Sequence, residues 1–76
     1  MISPDLVDQA ILARCRPQYR KVALIMLQVG DDLIVPMEGD PSFISDRIKA
    51  LVKAERLQSQ GNLNRPRFSE IRLPQK

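Results

Sequence analysis

The side chains able to do chemistry in this sequence are chiefly cations. Twelve lysines and arginines face nine carboxylates, histidine is absent, and the single cysteine is Cys15. The cations gather in three patches: Arg16, Arg20 and Lys21, then Lys49, Lys53 and Arg56, then Arg65, Arg67 and Arg72. By segment the net charge is −2 over residues 1–13, +4 over 14–29, −4 over 30–41, +2 over 42–56 and +3 over 57–76. Such alternation suits either a face that meets a polyanion or the solvated surfaces of ordinary helices. In the first case the chemistry is neutralisation of anionic groups with release of their counterions.

The other reactive residue types do not assemble a catalytic set. General acid–base work usually needs histidine or two carboxylates held across a pocket, and the carboxylate cluster Asp31, Asp32, Glu38 and Asp40 lies in a loop without calcium-loop spacing. Cys15 stands between Arg14 and Arg16, which favour a thiolate, but it has no histidine partner and reads as an inert thiol near a helix end. One cysteine and no histidine leave no ordinary zinc site, and three glycines spaced 9 and 22 residues apart form no phosphate-binding loop. The expectation is a protein that is not an enzyme and uses no cofactor and no metal.

Seventy-six residues make one domain, 1–76, burying about 60–65% of its unfolded surface. Hydrophobic residues at 43% and charged residues at 28% fit an ordinary soluble globule. The apolar runs Val22 to Leu27 and Leu33 to Val35 are far too short for a membrane span. Met1 to Asp8 carries two carboxylates and no basic residue, unlike a signal peptide, so a cytoplasmic location is expected.

The elements that must position the cations follow from periodicity. Ser3-Pro4 starts a helix over about 4–14, with Asp5 and Asp8 near the positive end of its dipole. Its apolar stripe is Leu6, Val7, Ala10 and Ile11, with Leu12 turned away. Pro17 opens a second helix over 18–29, on which Tyr19, Val22, Ala23, Met26 and Val29 share a face and Gly30 is the stop. Leu12 and Leu24 remain as outward apolar residues. Residues 30–41 read as an acidic loop with a short strand at Leu33 to Val35, and Asp40-Pro41 caps a third helix over 42–55. That helix buries Phe43, Ile44, Ile48, Leu51 and Val52 and turns Ser45, Asp46, Lys49, Lys53 and Arg56 outward. Beyond Arg56 the period changes to 2, giving a hairpin over 57–73 with Leu57, Ser59 and Gly61 on one side of its first half against Gln58 and Gln60, Ser69, Ile71 and Leu73 against Phe68, Glu70 and Arg72 in its second, and a Gly61 to Pro66 tip that is flexible and partly basic.

The fold class expected is therefore mainly α with a small β-hairpin (α+β): a winged helix-turn-helix of three helices followed by a two-stranded wing. Ser45 to Leu57 resembles the third helix and first wing strand of many bacterial winged helices. With Asp8-Gln9-Ala10-Ile11-Leu12, Arg20-Lys21-Val22-Ala23, Gly61-Asn62-Leu63 and Arg65-Pro66-Arg67-Phe68-Ser69-Glu70-Ile71-Arg72-Leu73 added, the sequence resembles a small bacterial family catalogued as domain of unknown function 3658. The resemblance spans nearly the whole chain, and its last segment is the most specific. It implies a winged-helix fold and no catalytic residues. Where such proteins usually close the third helix with glycine this chain has Glu55, and its acidic loop is longer than usual.

Two functions from different classes follow. In the leading one the protein is a small basic DNA-binding or transcription-regulatory module and its partner is double-stranded DNA. Ser42, Ser45, Asp46 and Lys49 then approach base edges, Arg16, Arg20, Lys21 and Lys53 meet phosphates, and Arg65, Arg67 and Phe68 act from the wing. The nucleic-acid-binding set is Arg20, Lys21, Ser45, Lys49, Lys53, Arg65 and Arg67. Glu38, Asp40 and Asp46 oppose it by phosphate repulsion, and about a dozen residues between helices two and three exceed the usual three or four. In the alternative the scaffold is a protein-interaction module, with the acidic loop, Leu12 and Leu24 as docking features. A homodimer is compatible with both. Arg47 reads as a brace for helix three against an acidic neighbour such as Asp8 or Asp32 rather than as a base contact.

Overall fold

A computed structural model describes residues 4–33 and 42–75. The chain forms α1 (Pro4–Arg14), β1 (Arg20–Lys21), α2 (Val22–Asp32), α3 (Ser42–Lys53), β2 (Gln58–Gly61), a 3-10 turn (Pro66–Phe68) and β3 (Ser69–Arg72). It is an α+β arrangement of three helices and a small antiparallel sheet, compatible with a winged-helix-like layout.

The three helices close on one apolar core. Val7, Ile11 and Cys15 recur every four residues at α1 and its end, Val22, Ile25 and Val29 line α2, and Ile44, Ile48 and Leu51 line α3. These spacings place each set on one helical face. Leu57 and Ile71 add the sheet to the same core. Leu6, expected in the buried stripe, is 54% exposed, while Leu12, expected to turn away, is half-buried against the core. The buried arc of α1 is thus rotated from the expected one, because α1 packs against α2 and α3 together. On α2 the position missing from the expected face is Ile25, which is fully buried.

The second helix starts later than expected, and the reason is a third strand. Arg20 and Lys21 pair with Ile71 and Glu70, so the sheet order is β1-β3-β2 rather than a two-stranded wing. An extended Arg20–Lys21 gives backbone partners to an edge of β3 that a lone hairpin would leave bare. The helix then runs through Gly30 to Asp32, with Leu33 donating its backbone N–H to the Val29 carbonyl (3.0 Å). Tyr19 therefore precedes the helix. Leu33 lies in a turn, and the rest of the expected short strand, with Glu38 and Asp40, falls outside the described residues.

Helix α3 ends at Lys53, two residues before the expected boundary. Arg56 N–H donates to the Leu51 carbonyl (2.9 Å) and Glu55 N–H to the Val52 carbonyl (3.0 Å), the bond pair of a Schellman stop. Glu55 takes the left-handed position at φ 62°, where glycine is the usual residue. In β2 and β3, Ser59 pairs with Ile71 and Gly61 with Ser69. Gly61 has φ +83°, and a Cβ there would lie 2.3 Å from the Phe68 carbonyl oxygen, so this position requires glycine. The loop between the strands is a hydrogen-bonded turn: Arg65 N–H donates to the Asn62 carbonyl (2.8 Å) and Asn64 N–H to Asn62 Oδ1 (2.9 Å).

Candidate nucleic-acid interface

Candidate residues on α3 occupy successive turns. Ser45 and Lys49 are half-buried and Lys53 is exposed, four residues apart each time, so they run along one side of the helix. Lys49 Nζ donates to Asn64 Oδ1 at 2.7 Å, tying this side of α3 to the loop tip beside Arg65. Ser45, Lys49, Lys53 and Arg65 thus belong to one surface region built from two elements. Asp46 is exposed on α3 as expected.

Arg20 and Lys21 belong to a second region. They lie on β1, at the far edge of the sheet from β2. The 3-10 turn carrying Arg67 and Phe68 packs against β1 and the adjoining α2. The side chains of Lys21 and Arg67 are exposed and make no hydrogen bond or ion pair among the described residues, and the same holds for the side chains of Lys53 and Arg65.

Other cations are already engaged. Arg20 Nη1 donates to the Arg14 carbonyl (3.2 Å), and Arg16 Nη1 donates to the Ala13 and Cys15 carbonyls (2.9 Å each). Both guanidinium groups therefore satisfy carbonyls at the C-terminal end of α1, where positive charge complements the helix dipole. Arg14 makes a two-bond pair with Asp32, Nε to Oδ2 at 2.7 Å and Nη2 to Oδ1 at 2.6 Å. Its guanidinium holds the Asp32 carboxyl below its ordinary value through those hydrogen bonds. Arg72 lies 4.5 Å over the centroid of the Tyr19 ring and donates Nε to Gln58 Oε1 (2.8 Å).

Arg47 braces α3 against α1. Its Nε and Nη2 donate to Asp8 Oδ1 and Oδ2, both at 2.8 Å, and Asp8 is only 7% exposed. The hydrogen bonds from Arg47 hold the Asp8 carboxyl below its ordinary value despite the opposing effect of burial. This fork fixes the angle at which α3 leaves the helical core, and with it the direction of Ser45, Lys49 and Lys53. Cys15 is buried, and burial pushes its thiol up to about 11, overriding the opposite pull of Arg20 and Arg16. Among the described residues no group of three or more carboxylate, cysteine or histidine side chains is placed to hold a metal, and no helix is long and apolar enough to cross a membrane.

Sequence reasoning missed Asn64, which joins α3 to the loop, and the Tyr19–Arg72 stack. The Asn62 to Arg65 run signals a turn, but nothing in its composition says which helix the turn reaches. Comparison of the chain with family models, curated proteins and solved structures finds no match in any of the three.

Proposed function

We propose that the protein is a non-catalytic winged-helix module that binds double-stranded DNA through α3 and the basic loop of its hairpin, in keeping with the family resemblance of its sequence. The observation that carries this reading is the Lys49–Asn64 hydrogen bond. It joins a helix side bearing Lys49 and Lys53 to a loop bearing Arg65, so cations from two separated patches act as one surface. A duplex presents closely spaced phosphates on both strands, and a two-element cationic surface can meet several of them at once. Arg20 contributes less directly than Lys21, since its guanidinium is occupied by the Arg14 carbonyl. Arg47 serves by holding α3 rather than by touching DNA.

The test is fluorescence anisotropy with random-sequence duplex DNA at low and at physiological salt. Micromolar binding that weakens steeply with salt supports the reading, and Lys53→Gln with Arg65→Gln should reduce both the affinity and the salt slope. Absence of binding at low salt removes it. A second reading, a protein-docking module, is favoured by one observation: Leu24 is 40% and Leu27 59% exposed, neighbours on one side of α2. An unchanged mass from dilute to concentrated solution, together with duplex binding, would set that reading aside.

A further inference from the structure

The sheet has a second face whose stacking groups the duplex-binding surface does not use. Ser69 and Ile71 of β3 are buried against the helices, whereas Glu70 and Arg72, which alternate with them, point to the opposite side. In the strand register Lys21 and Gln60 flank Glu70, and Gln58 flanks Arg72. Two flat groups lie at the ends of β3. At one, Arg72 rests 4.5 Å over the Tyr19 ring and is held there by Gln58. At the other, Phe68 is 70% exposed, more than any other large hydrophobic residue among those described, with the uncommitted guanidinium of Arg67 next to it in the chain.

We propose that this face, together with the 3-10 turn at its end, binds single-stranded nucleic acid, one base stacking on Phe68 of the turn and a second on the Arg72 guanidinium, while Lys21 and Arg67 meet phosphates. An exposed aromatic ring costs solvation without stabilising the core, and an unpaired base is a ligand that covers it. Every base has a π face, so such stacking is tolerant of sequence, and an arginine plane held flat on an aromatic ring is a stacking surface of the same kind. Phe68 at the end of the 3-10 turn and Arg72 at the end of β3 are four residues apart along an extended segment, about 13 Å, which suits an extended strand rather than adjacent bases of a duplex. The carboxylate on the face, Glu70, accepts a hydrogen bond from the Gln60 amide and stands opposite Lys21 in the strand register. The site shares the cations Lys21 and Arg67 with the proposed duplex contacts and differs from them in its stacking groups, Phe68 and Arg72, so substitutions at Phe68 and at Lys53 on α3 separate the two readings.

The chain contains no tryptophan, so Phe68→Trp introduces a single tryptophan at the platform, excited at wavelengths where Tyr19 does not absorb. Titration with oligo-dT and oligo-U at low salt should quench its emission to saturation, and the tighter of the two identifies DNA or RNA as the source. Phe68→Ala should weaken oligonucleotide binding about tenfold with the far-ultraviolet circular dichroism unchanged, since the ring it removes is exposed. Lys53→Gln, on α3, should leave strand binding intact while weakening any duplex binding. The inference is overturned by an absence of quenching, by Phe68→Ala binding as tightly as the parent chain, or by equal quenching with duplex, which would make the ring a wedge between base pairs. It is likewise overturned if the emission shifts to the blue with protein concentration alone, which would make the face a contact between copies.

Discussion

Asp8 is the one buried charged residue among those described, and its partner Arg47 comes from 39 residues away. Replacing Arg47 by alanine leaves a carboxylate in a site that no longer compensates it, which is the costly way to break such a pair. The thermal midpoint should fall by roughly 5–10 °C, read by circular dichroism. Because the folded carboxyl is held below its ordinary value of 3.8, the unfolded chain takes up the proton more readily. The stabilising contribution is therefore complete above that value and is lost as pH falls through the lowered one. Asp8→Asn should show a flatter acid limb in its stability profile than the parent chain. Glu55 works in the other direction. An L-residue at φ 62° carries strain that glycine does not, and Glu55→Gly should stabilise the fold by about 1 kcal/mol, read as a rise in denaturation midpoint at unchanged slope. Gly61→Ala, whose added carbon would collide with the Phe68 carbonyl, should cost roughly 2 kcal/mol or more. Cys15, buried and pushed up to about 11, should react with a thiol reagent at pH 8 only as fast as the chain opens.

At the scale of elements, the link between α3 and the hairpin loop separates function from stability. The Lys49–Asn64 bond is exposed, so Asn64→Ala should change stability by less than about 0.5 kcal/mol. It should nevertheless weaken duplex binding several-fold by freeing the loop from the helix, an outcome measured by anisotropy on a variant of unchanged melting temperature. Helix α3 was the element most legible in the sequence, because Ile44, Ile48 and Leu51 repeat at helical spacing and Asp46, Lys49 and Lys53 fill the other side. The hairpin was legible for a similar reason, the residues of its inner side alternating through Ser69, Ile71 and Leu73. Strand β1 was not legible: two residues contain no period, and what makes Arg20–Lys21 extended is a partner strand about fifty residues later. Proline at position 17 suggested a helix start, and the strand pairing prevailed over that local preference. The boundary at Glu55 was misplaced for a related reason, since helix propensity favours glutamate while the stop is made by backbone hydrogen bonds to Leu51 and Val52. Of the candidate interface, the cation types were readable. Their division into engaged and uncommitted groups was not, because the carbonyls that occupy Arg16 and Arg20 belong to the backbone and have no sequence signature.

For the whole molecule, the radius of gyration of 11.4 Å matches the value of about 11 Å expected of a single compact domain this size. A core with eleven small and medium side chains among the described residues supports only modest stability in so short a chain, so ligand binding should be visible as a thermal shift. Saturating duplex or oligonucleotide at low salt should raise the melting temperature, and the shift should shrink as salt is added. The arrangement of the sheet bears on how this molecule comes into being. Its central strand, β3, follows both of its partners in the chain, β1 and β2, and just beyond it the Leu73 N–H reaches back to the Arg16 carbonyl (2.9 Å). During synthesis the earlier strands therefore have no template until residue 72 has cleared the ribosome. The three helices can collapse beforehand, but β1 and β2 remain unpaired, so protection of the Arg20–Lys21 segment from protease should arise abruptly with β3 rather than accumulate along the chain.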